Sequence, residues 1–319
     1  VMVGSEFLLD VRELSVRFRL GRGRPEVHAV TDVSFSLAPG ELLGLVGESG
    51  CGKSVLAAAL LGLLPANARL CGEAVLNAPG DEPVELLGAP ESVLSQRVRG
   101  RLVGLVPQSA AAHLTPVRTA GAQLVEAVRV LRPAERDPAA VAEALAERVG
   151  LNPVFLKRYP HELSGGTAQR VAVALALAGD PPVVLADEPT AGLDRPLVER
   201  TVDLLADLAR EGRAVLLITH DLAAASRVAT DLAVMYASRL VERGPAAKLF
   251  DTPWHPYTEG LLGALPTGGF RAIPGHPPEL TALPEGCAFR PRCPVAEDCG
   301  GDPALVRHGD RYVACRQPC

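Results

Sequence analysis

No stretch of the 319-residue chain reaches the roughly 18 consecutive apolar residues of a membrane-spanning helix, although 48% of its residues are hydrophobic. A secretory leader pattern is missing as well, because Glu6, Asp10 and Arg12 interrupt the apolar residues near the start. Excess positive charge is also absent. Lys and Arg total 32 against 37 Asp and Glu, for a net charge of −5 and a sequence pI of about 5.9. Such a balance disfavours a surface that coats nucleic acid. Together these absences predict a cytosolic chain, with attachment to a membrane left open through partners. The chain opens on Val1 rather than Met, and a processed, trimmed or vector-derived start is expected.

What is present is a set of short apolar strands, several of them ending in polar or charged residues. A chain of this length can bury a substantial core and predicts one large domain with appendages, or two domains. Leu8–Arg19 alternates through Leu9, Val11, Leu14, Val16 and Phe18, a strand signal. Gly21–Pro25 breaks the pattern, and Val30–Leu37 gives a second strand before Pro39-Gly40. The apolar run Leu42–Val46 then leads into Gly47-Glu48-Ser49-Gly50-Cys51-Gly52-Lys53-Ser54, a full match to G-x-x-x-x-G-K-[ST]. An Ala/Leu-rich helix from Ser54 to Leu64, beginning Ser54-Val55, follows it. Strand, glycine loop and helix are the context this motif requires. The glycines let backbone N–H groups converge on phosphate oxygens at a helix N-terminus. Lys53 then reaches the outer phosphates, and the Ser54 hydroxyl is placed for Mg²⁺.

Further on, Gly72–Asn77 and Val84–Leu87 read as short edge strands, Glu91–Arg99 as a polar helix, and Leu102–Val106 as an apolar strand ending at Pro107-Gln108. Val117–Val130 and Pro138–Val149 carry Ala, Leu and Val at helical spacing. Leu163-Ser164-Gly165-Gly166 opens an Ala/Val/Leu run to Gly179, with Ser164 as a helix cap. Val183–Ala186 is bounded by Pro on both sides and reads as a buried parallel strand. At its carboxyl end stand Asp187 and Glu188, where open α/β sheets bind ligands. An acidic pair is most often a solvated turn; this one has a phosphate loop to work with. Ala214–Ile218 is another buried strand, followed by Thr219-His220, and Ala233–Tyr236 with Arg239–Glu242 forms a hairpin that closes the sheet.

Ser164-Gly165-Gly166 upstream of Asp187-Glu188, with Gln108 and His220 at the expected places, resembles the ATP-binding cassette (ABC) family over essentially the whole chain. The resemblance implies an α/β fold: a nucleotide-binding domain over residues 1–243 with an antiparallel β subdomain and a helical subdomain at about 110–165. It implies that Phe18 stacks on adenine, although a strand aromatic is commonly just core. Residues Gly47 to Val55 would bind the phosphates of ATP. Ser54, Gln108 and Asp187 would hold Mg²⁺, Glu188 would polarise the attacking water, and His220 would offset γ-phosphate charge. Ser164, Gly165 and Gly166 would bind the γ-phosphate held by an opposing subunit, and Asp194 would lie in the loop linking the two sites. Thr167 stands where the family signature has Gln, with Gln169 two places on; the resemblance implies that this is tolerated.

From Gly244 the composition turns Pro- and Gly-rich. Trp254-His255-Pro256-Tyr257-Thr258, Ala264-Leu265-Pro266 and Ile273-Pro274-Gly275 resemble the C-terminal extension of dipeptide and oligopeptide importer ATPases, shared by some nickel-transporting relatives. Residues 244–319 are therefore expected to form a small Cys-containing domain. Five of the seven cysteines crowd here: Cys287, Cys293, Cys299 and Cys315 as a set, with Cys319 spare. A reducing cytosol disfavours disulfides, and a tail with little core favours a metal staple. Zinc usually takes tighter pairs than these five-residue separations. A [4Fe–4S] cluster also takes four thiolates, and the resemblance brings the same cluster into view. The order is [4Fe–4S], then zinc, then bare buried thiols.

The function implied is an ATPase that drives peptide import by head-to-tail dimerisation, with nickel or metal-chelate import as the alternative. Expected partners are a second ATP-binding subunit (heterodimer ahead of homodimer), two transmembrane permease subunits and an extracytoplasmic substrate-binding protein. The chain would sit peripherally on the cytoplasmic face of the membrane, without nucleic acid. A non-transport ABC ATPase is disfavoured, because only Val55–Glu162 separates loop from signature, without sustained heptads or a second set of motifs. A silent regulatory subunit is disfavoured because Glu188 and His220 are both present.

Overall fold

The computed structural model describes residues 6–21, 23–296 and 301–315. Strands β1 (Leu9–Arg19) and β2 (Glu26–Leu37) pair antiparallel. The apolar alternation of β1 skips a step between Val11 and Leu14, where the ladder bulges. Strand β3 (Leu42–Val46), helix α1 (Lys53–Leu60) and strands β4 (Ala68–Leu76) and β5 (Val84–Glu85) follow. Gly72 of β4 has φ +99°, and a Cβ there would lie 2.5 Å from the Glu13 carbonyl, so only glycine lets β4 pass the bulge. The sheet runs β2-β1-β4-β5. β4 is thus paired on both sides rather than an edge strand, because the ladder begins at Ala68, before the residues whose pattern is visible.

Residues 91–99 form a three-residue helix α2 (Glu91–Val93) that widens into a π turn (Leu94–Val98). Strand β6 (Val103–Val106), the turn α3 (Ala110–His113) and helices α4 (Ala120–Leu131) and α5 (Pro138–Arg148) come next. Thr119 and Asp137 cap α4 and α5 through side-chain oxygens. Then come α6 (Gly165–Ala176), β7 (Val183–Asp187), α7 (Arg195–Arg210), β8 (Ala214–Thr219), α8 (Leu222–Val228), β9 (Asp231–Tyr236) and β10 (Arg239–Pro245). Helix α7 carries no chemical motif and is not among the elements expected above. Its buried Val198, Val202, Leu205, Leu208 and Ala209 recur at helical spacing.

The second sheet runs β11-β12-β10-β9-β3-β8-β7-β6, and its β9-β3-β8-β7-β6 part is parallel. Period-two alternation splits its side chains between two cores. Leu43, Leu45, Val183, Leu185, Leu216 and Ile218 share a core with the antiparallel sheet and α1. Leu42, Val184, Ala186, Val215 and Leu217 share another with α4 to α7. Parallel strands buried on both faces need near-continuous apolar runs, and β3 and β8 are buried throughout.

The C-terminal segment contributes α9 (Ala246–Asp251), α10 (Pro256–Gly263) and strands β11 (Val306–His308) and β12 (Arg311–Val313). The β9–β10 hairpin does not end the sheet: β12 pairs with β10, and β11 with β12. An edge that would stay open is covered by chain from some 70 residues later. Tyr257 and Phe289 pack on Tyr236, with ring centroids 4.4 and 5.3 Å from it, and form a third core with Val46, Leu232 and Val234. Arg311 donates to Glu242 at 2.6 Å with both side chains almost wholly buried. Glu242 also accepts from the N–H groups of Trp254 and His255, each at 2.9 Å. A buried carboxylate so fully bonded ties the segment to β10. Burial holds His255 neutral, its pKa lowered to about 4, and its Nδ1 accepts the Tyr257 N–H at the start of α10.

Candidate nucleotide site

Parallel pairing brings the carboxyl ends of β3, β8, β7 and β6 to one sheet edge, and every motif expected to handle phosphate but the signature leaves from that edge. The loop after β3 turns on glycine. Gly47 and Gly52 have φ +154° and +111°, and a Cβ would lie 2.1 Å from the Met235 carbonyl and 1.9 Å from the Ala29 carbonyl, respectively. Neither position tolerates a side chain. Gly50 has φ +82° in open space, and Ser49 and Gly50 are exposed. Gly52 precedes α1 without any side-chain cap, so the first-turn N–H groups are left for a ligand's oxygens.

Lys53 is buried and folded back on its own loop, donating to the Gly47 and Glu48 carbonyls at 2.8 and 3.1 Å. Cys51 lies beneath it, Sγ 3.7 Å from Nζ. Burial pushes this thiol's pKa up against the opposing pull of Lys53, which keeps it protonated and unreactive. Val55 packs partly against the core beneath the antiparallel sheet. Ser54 donates to Asp187 Oδ1 at 3.0 Å, so these two expected Mg²⁺ ligands meet across β3 and β7. Burial raises the Asp187 pKa first, and the neighbouring Glu188 charge adds to that, against the Ser54 hydrogen bond and the Lys53 charge. A cation here would relieve that penalty.

Glu188 is 7% exposed and sits at φ +48°, a strained conformation for a non-glycine residue. Its N–H donates to the Ile218 carbonyl at 2.9 Å, locking it to β8. His220 Nδ1 approaches Glu188 Oε2 to 2.8 Å, at ion-pair distance but without hydrogen-bond geometry. That buried oxygen has no hydrogen-bond partner in the protein. An unsatisfied buried carboxylate oxygen at a phosphate site is fitted to accept a proton from water. His220 is 60% exposed, beside Asp221, which caps α8.

The remaining residues expected at the site stand at the end of β6, on β1, at the start of α6 and ahead of α7. Gln108 is exposed in the bend after β6. Phe18 is half-buried in β1 and packs against the core. Ser164 caps α6, accepting from the Thr167 N–H at 3.3 Å, and the two hydroxyls lie 2.8 Å apart. Thr167 therefore engages the signature serine directly. Gly165 is exposed with open space around it, and a Cβ on Gly166 would meet Leu197 of α7 at 2.3 Å. Asp194 is the exposed residue ahead of α7.

In the tail, Cys287, Cys293 and Cys315 line one small apolar cavity with His255, Gly301 and Pro303. Cys299 and Cys319 lie outside the described residues. Among the described residues no group of three His, Cys, Asp or Glu side chains is placed to hold a metal ion. Two contacts to the phosphate loop are not among those expected above: Tyr257 and Arg292 both bond Glu48. They lie 209 and 244 residues from it along the chain, and no local pattern pairs them with the loop.

The model for ABC transporters matches residues 30–191, and that for the oligopeptide/dipeptide transporter C-terminal region matches residues 241–299. The chain is 40% identical to the oligopeptide transport ATP-binding protein OppD of Escherichia coli (strain K12), over 98% of this chain and 94% of that one. It is 43% identical to a putative peptide import ATP-binding protein of Brucella melitensis, over 91% and 88% of the two chains. It is 39% identical to the probable D,D-dipeptide transport ATP-binding protein DdpD of Escherichia coli, over 97% and 95%. Among solved structures, the dimeric ATP-binding cassette MJ0796 bound to ADP and Pi superposes with a TM-score of 0.64 at 25% identity, covering 75% of this chain and 98% of that one. This chain belongs to the ABC transporter family and is an ABC-type ATPase. Within the family it groups with the ATP-binding proteins of oligopeptide and dipeptide transporters.

Proposed function

We propose that this chain is the ATP-hydrolysing subunit of a peptide importer, held peripherally at the cytoplasmic face of the membrane by two permease subunits. The observation that carries the reading is that similarity runs past the cassette, through the oligopeptide/dipeptide transporter C-terminal region at residues 241–299. Among the described residues no helix is long and apolar enough to cross a membrane, so the pathway for cargo belongs to other chains. Nickel import is not favoured, since the relatives matched are named for oligopeptides, peptides and D,D-dipeptides.

The loop N–H groups and α1 hold the phosphates of ATP, and Lys53 exchanges its loop carbonyls for phosphate oxygens. Ser54, Asp187 and Gln108 would hold Mg²⁺, which when bound would offset charge on the outer phosphates. Glu188 takes the proton of the attacking water, and His220 orients that carboxylate and offsets charge on the γ-phosphate. Phe18 stacks on the adenine. The capped N-terminus of α6, Ser164 to Gly166, completes the site of an opposing subunit, with Asp194 between the two sites. That subunit is a related, non-identical ATP-binding chain; a homodimer is the alternative. An extracytoplasmic binding protein delivers the peptide. Purification of this chain from its native membrane is expected to bring down a second ATP-binding chain and two permease chains. Recovery of neither would overturn the assignment.

We propose that the tail over residues 244–319 is a small domain docked on the cassette through β12 and the Tyr257–Phe289 core, and that Cys287, Cys293, Cys299 and Cys315 bind a [4Fe–4S] cluster that staples it, with zinc as the second reading. Three of these thiols already share one cavity, and Gly301 of its lining stands two residues past Cys299. Anaerobic purification is expected to yield a brown protein with iron and acid-labile sulfide in equal amounts. A colourless protein with one zinc per chain would end the iron–sulfur reading.

A further inference from the structure

Glu48 is the second residue of the phosphate loop, a place where negative charge opposes the ligand. The loop gathers N–H donors and cations around phosphate oxygens, and a bare carboxylate among them repels a polyphosphate. In this chain the carboxylate is not bare. Arg292 donates through both terminal nitrogens to its two oxygens, at 2.8 and 3.0 Å, in the two-pronged geometry that arginine forms best. The Arg292 side chain is only 4% exposed. Its guanidinium lies 5.7 Å from the Tyr236 ring centre and 5.9 Å from that of Phe289. Its Nε donates to the Pro274 carbonyl at 3.0 Å. The cation is thus placed by packing and by a backbone acceptor, independently of the charge it meets. The Glu48 N–H in turn donates to the Tyr257 hydroxyl at 2.9 Å. Backbone and side chain of one phosphate-loop residue are therefore both held by the C-terminal segment.

We propose that Arg292 is a positioning residue for ATP binding: it neutralises Glu48 and holds its carboxylate against the C-terminal segment, so that this segment sets the nucleotide affinity of the cassette. Arg292 ends the turn Arg290–Arg292 between Cys287 and Cys293, so whatever orders those cysteines also orders the cation. The proposal rests on the phosphate loop binding ATP, which titration of the wild-type chain checks by itself.

Calorimetric titration of the full chain with MgATP tests it in four proteins: wild type, Arg292→Gln, Glu48→Gln and the double variant. Arg292→Gln exposes the carboxylate and is expected to weaken ATP binding about tenfold at low salt. Adding Glu48→Gln to Arg292→Gln should restore affinity to within about threefold of Glu48→Gln alone, because the repelling charge is gone. The Arg292→Gln defect should also shrink toward 1 M salt, where the screening length falls to about 3 Å. A merely structural role for Arg292 would give neither rescue nor salt dependence. A double variant as weak as Arg292→Gln, or an Arg292→Gln protein that binds like wild type, would overturn the proposal. Should Arg292→Gln fail to fold, Arg292→Lys keeps the charge while giving up the two-pronged hold and is expected to bind ATP less than about tenfold weaker than wild type; a larger loss overturns the proposal equally. Absence of ATP binding by the wild type would instead remove the nucleotide site itself.

Discussion

Glu188→Gln is expected to cut ATP turnover by about two to four orders of magnitude, the usual worth of a positioned general base, while ATP still binds. The reason lies in what the side chain lacks. Its buried Oε2 faces the His220 ring at 2.8 Å without forming a hydrogen bond, and the backbone that carries it is locked in a strained conformation by the Ile218 carbonyl. That oxygen is held ready for a proton, and an amide of the same shape cannot accept one. The phosphate loop is untouched by the change, so binding should persist. ATP that binds without being consumed should prolong the closed dimer. Phosphate release gives the first readout, and light scattering with ATP gives the second. Turnover within a few-fold of wild type would remove Glu188 from this role.

Lys53→Ala is expected to act one step earlier, on binding. Hydrogen bonds to a charged group are worth roughly 1.5–3 kcal/mol, so loss of the ammonium should weaken ATP binding by about ten- to a hundredfold. In the free protein that ammonium bonds two carbonyls of its own loop. It is therefore already positioned, and binding requires only an exchange of oxygen partners. The same bonds brace the loop, and Ala would leave the Gly47 and Glu48 carbonyls without them. Equilibrium titration with ATP separates the two variants: Glu188→Gln should bind and Lys53→Ala should not bind comparably. Equal affinity in both would refute the assignment of Lys53.

Most residues of the candidate nucleotide site are legible in the sequence because they fall in local stretches. Gly47, Gly52 and Lys53 fall within one turn of chain, and the reason for each glycine acts at its own position, through φ and through a backbone neighbour. Asp187 and Glu188 follow a strand whose burial on both faces forces a continuous apolar run. Helix α7 is equally legible in the spacing of Val198, Val202 and Leu205, although it carries no chemical motif. Strand β4 was cut short because Ala68–Cys71 lacks the buried alternation of its second half.

Strand ends and loops could be located one by one, but the sequence by itself did not determine which strands are neighbours. Parallel pairing in the order β3-β8-β7 is what puts Ser54 against Asp187, and His220 against Glu188. Pairing of that kind is decided by packing two buried faces at once, a condition no single strand encodes. The same holds for the tail. Composition marked residues beyond Gly244 as different, yet only the folded chain seats β12 on β10 and delivers Arg292 and Tyr257 to Glu48. Contacts over such separations leave no periodic trace, because each depends on where the rest of the chain has already packed.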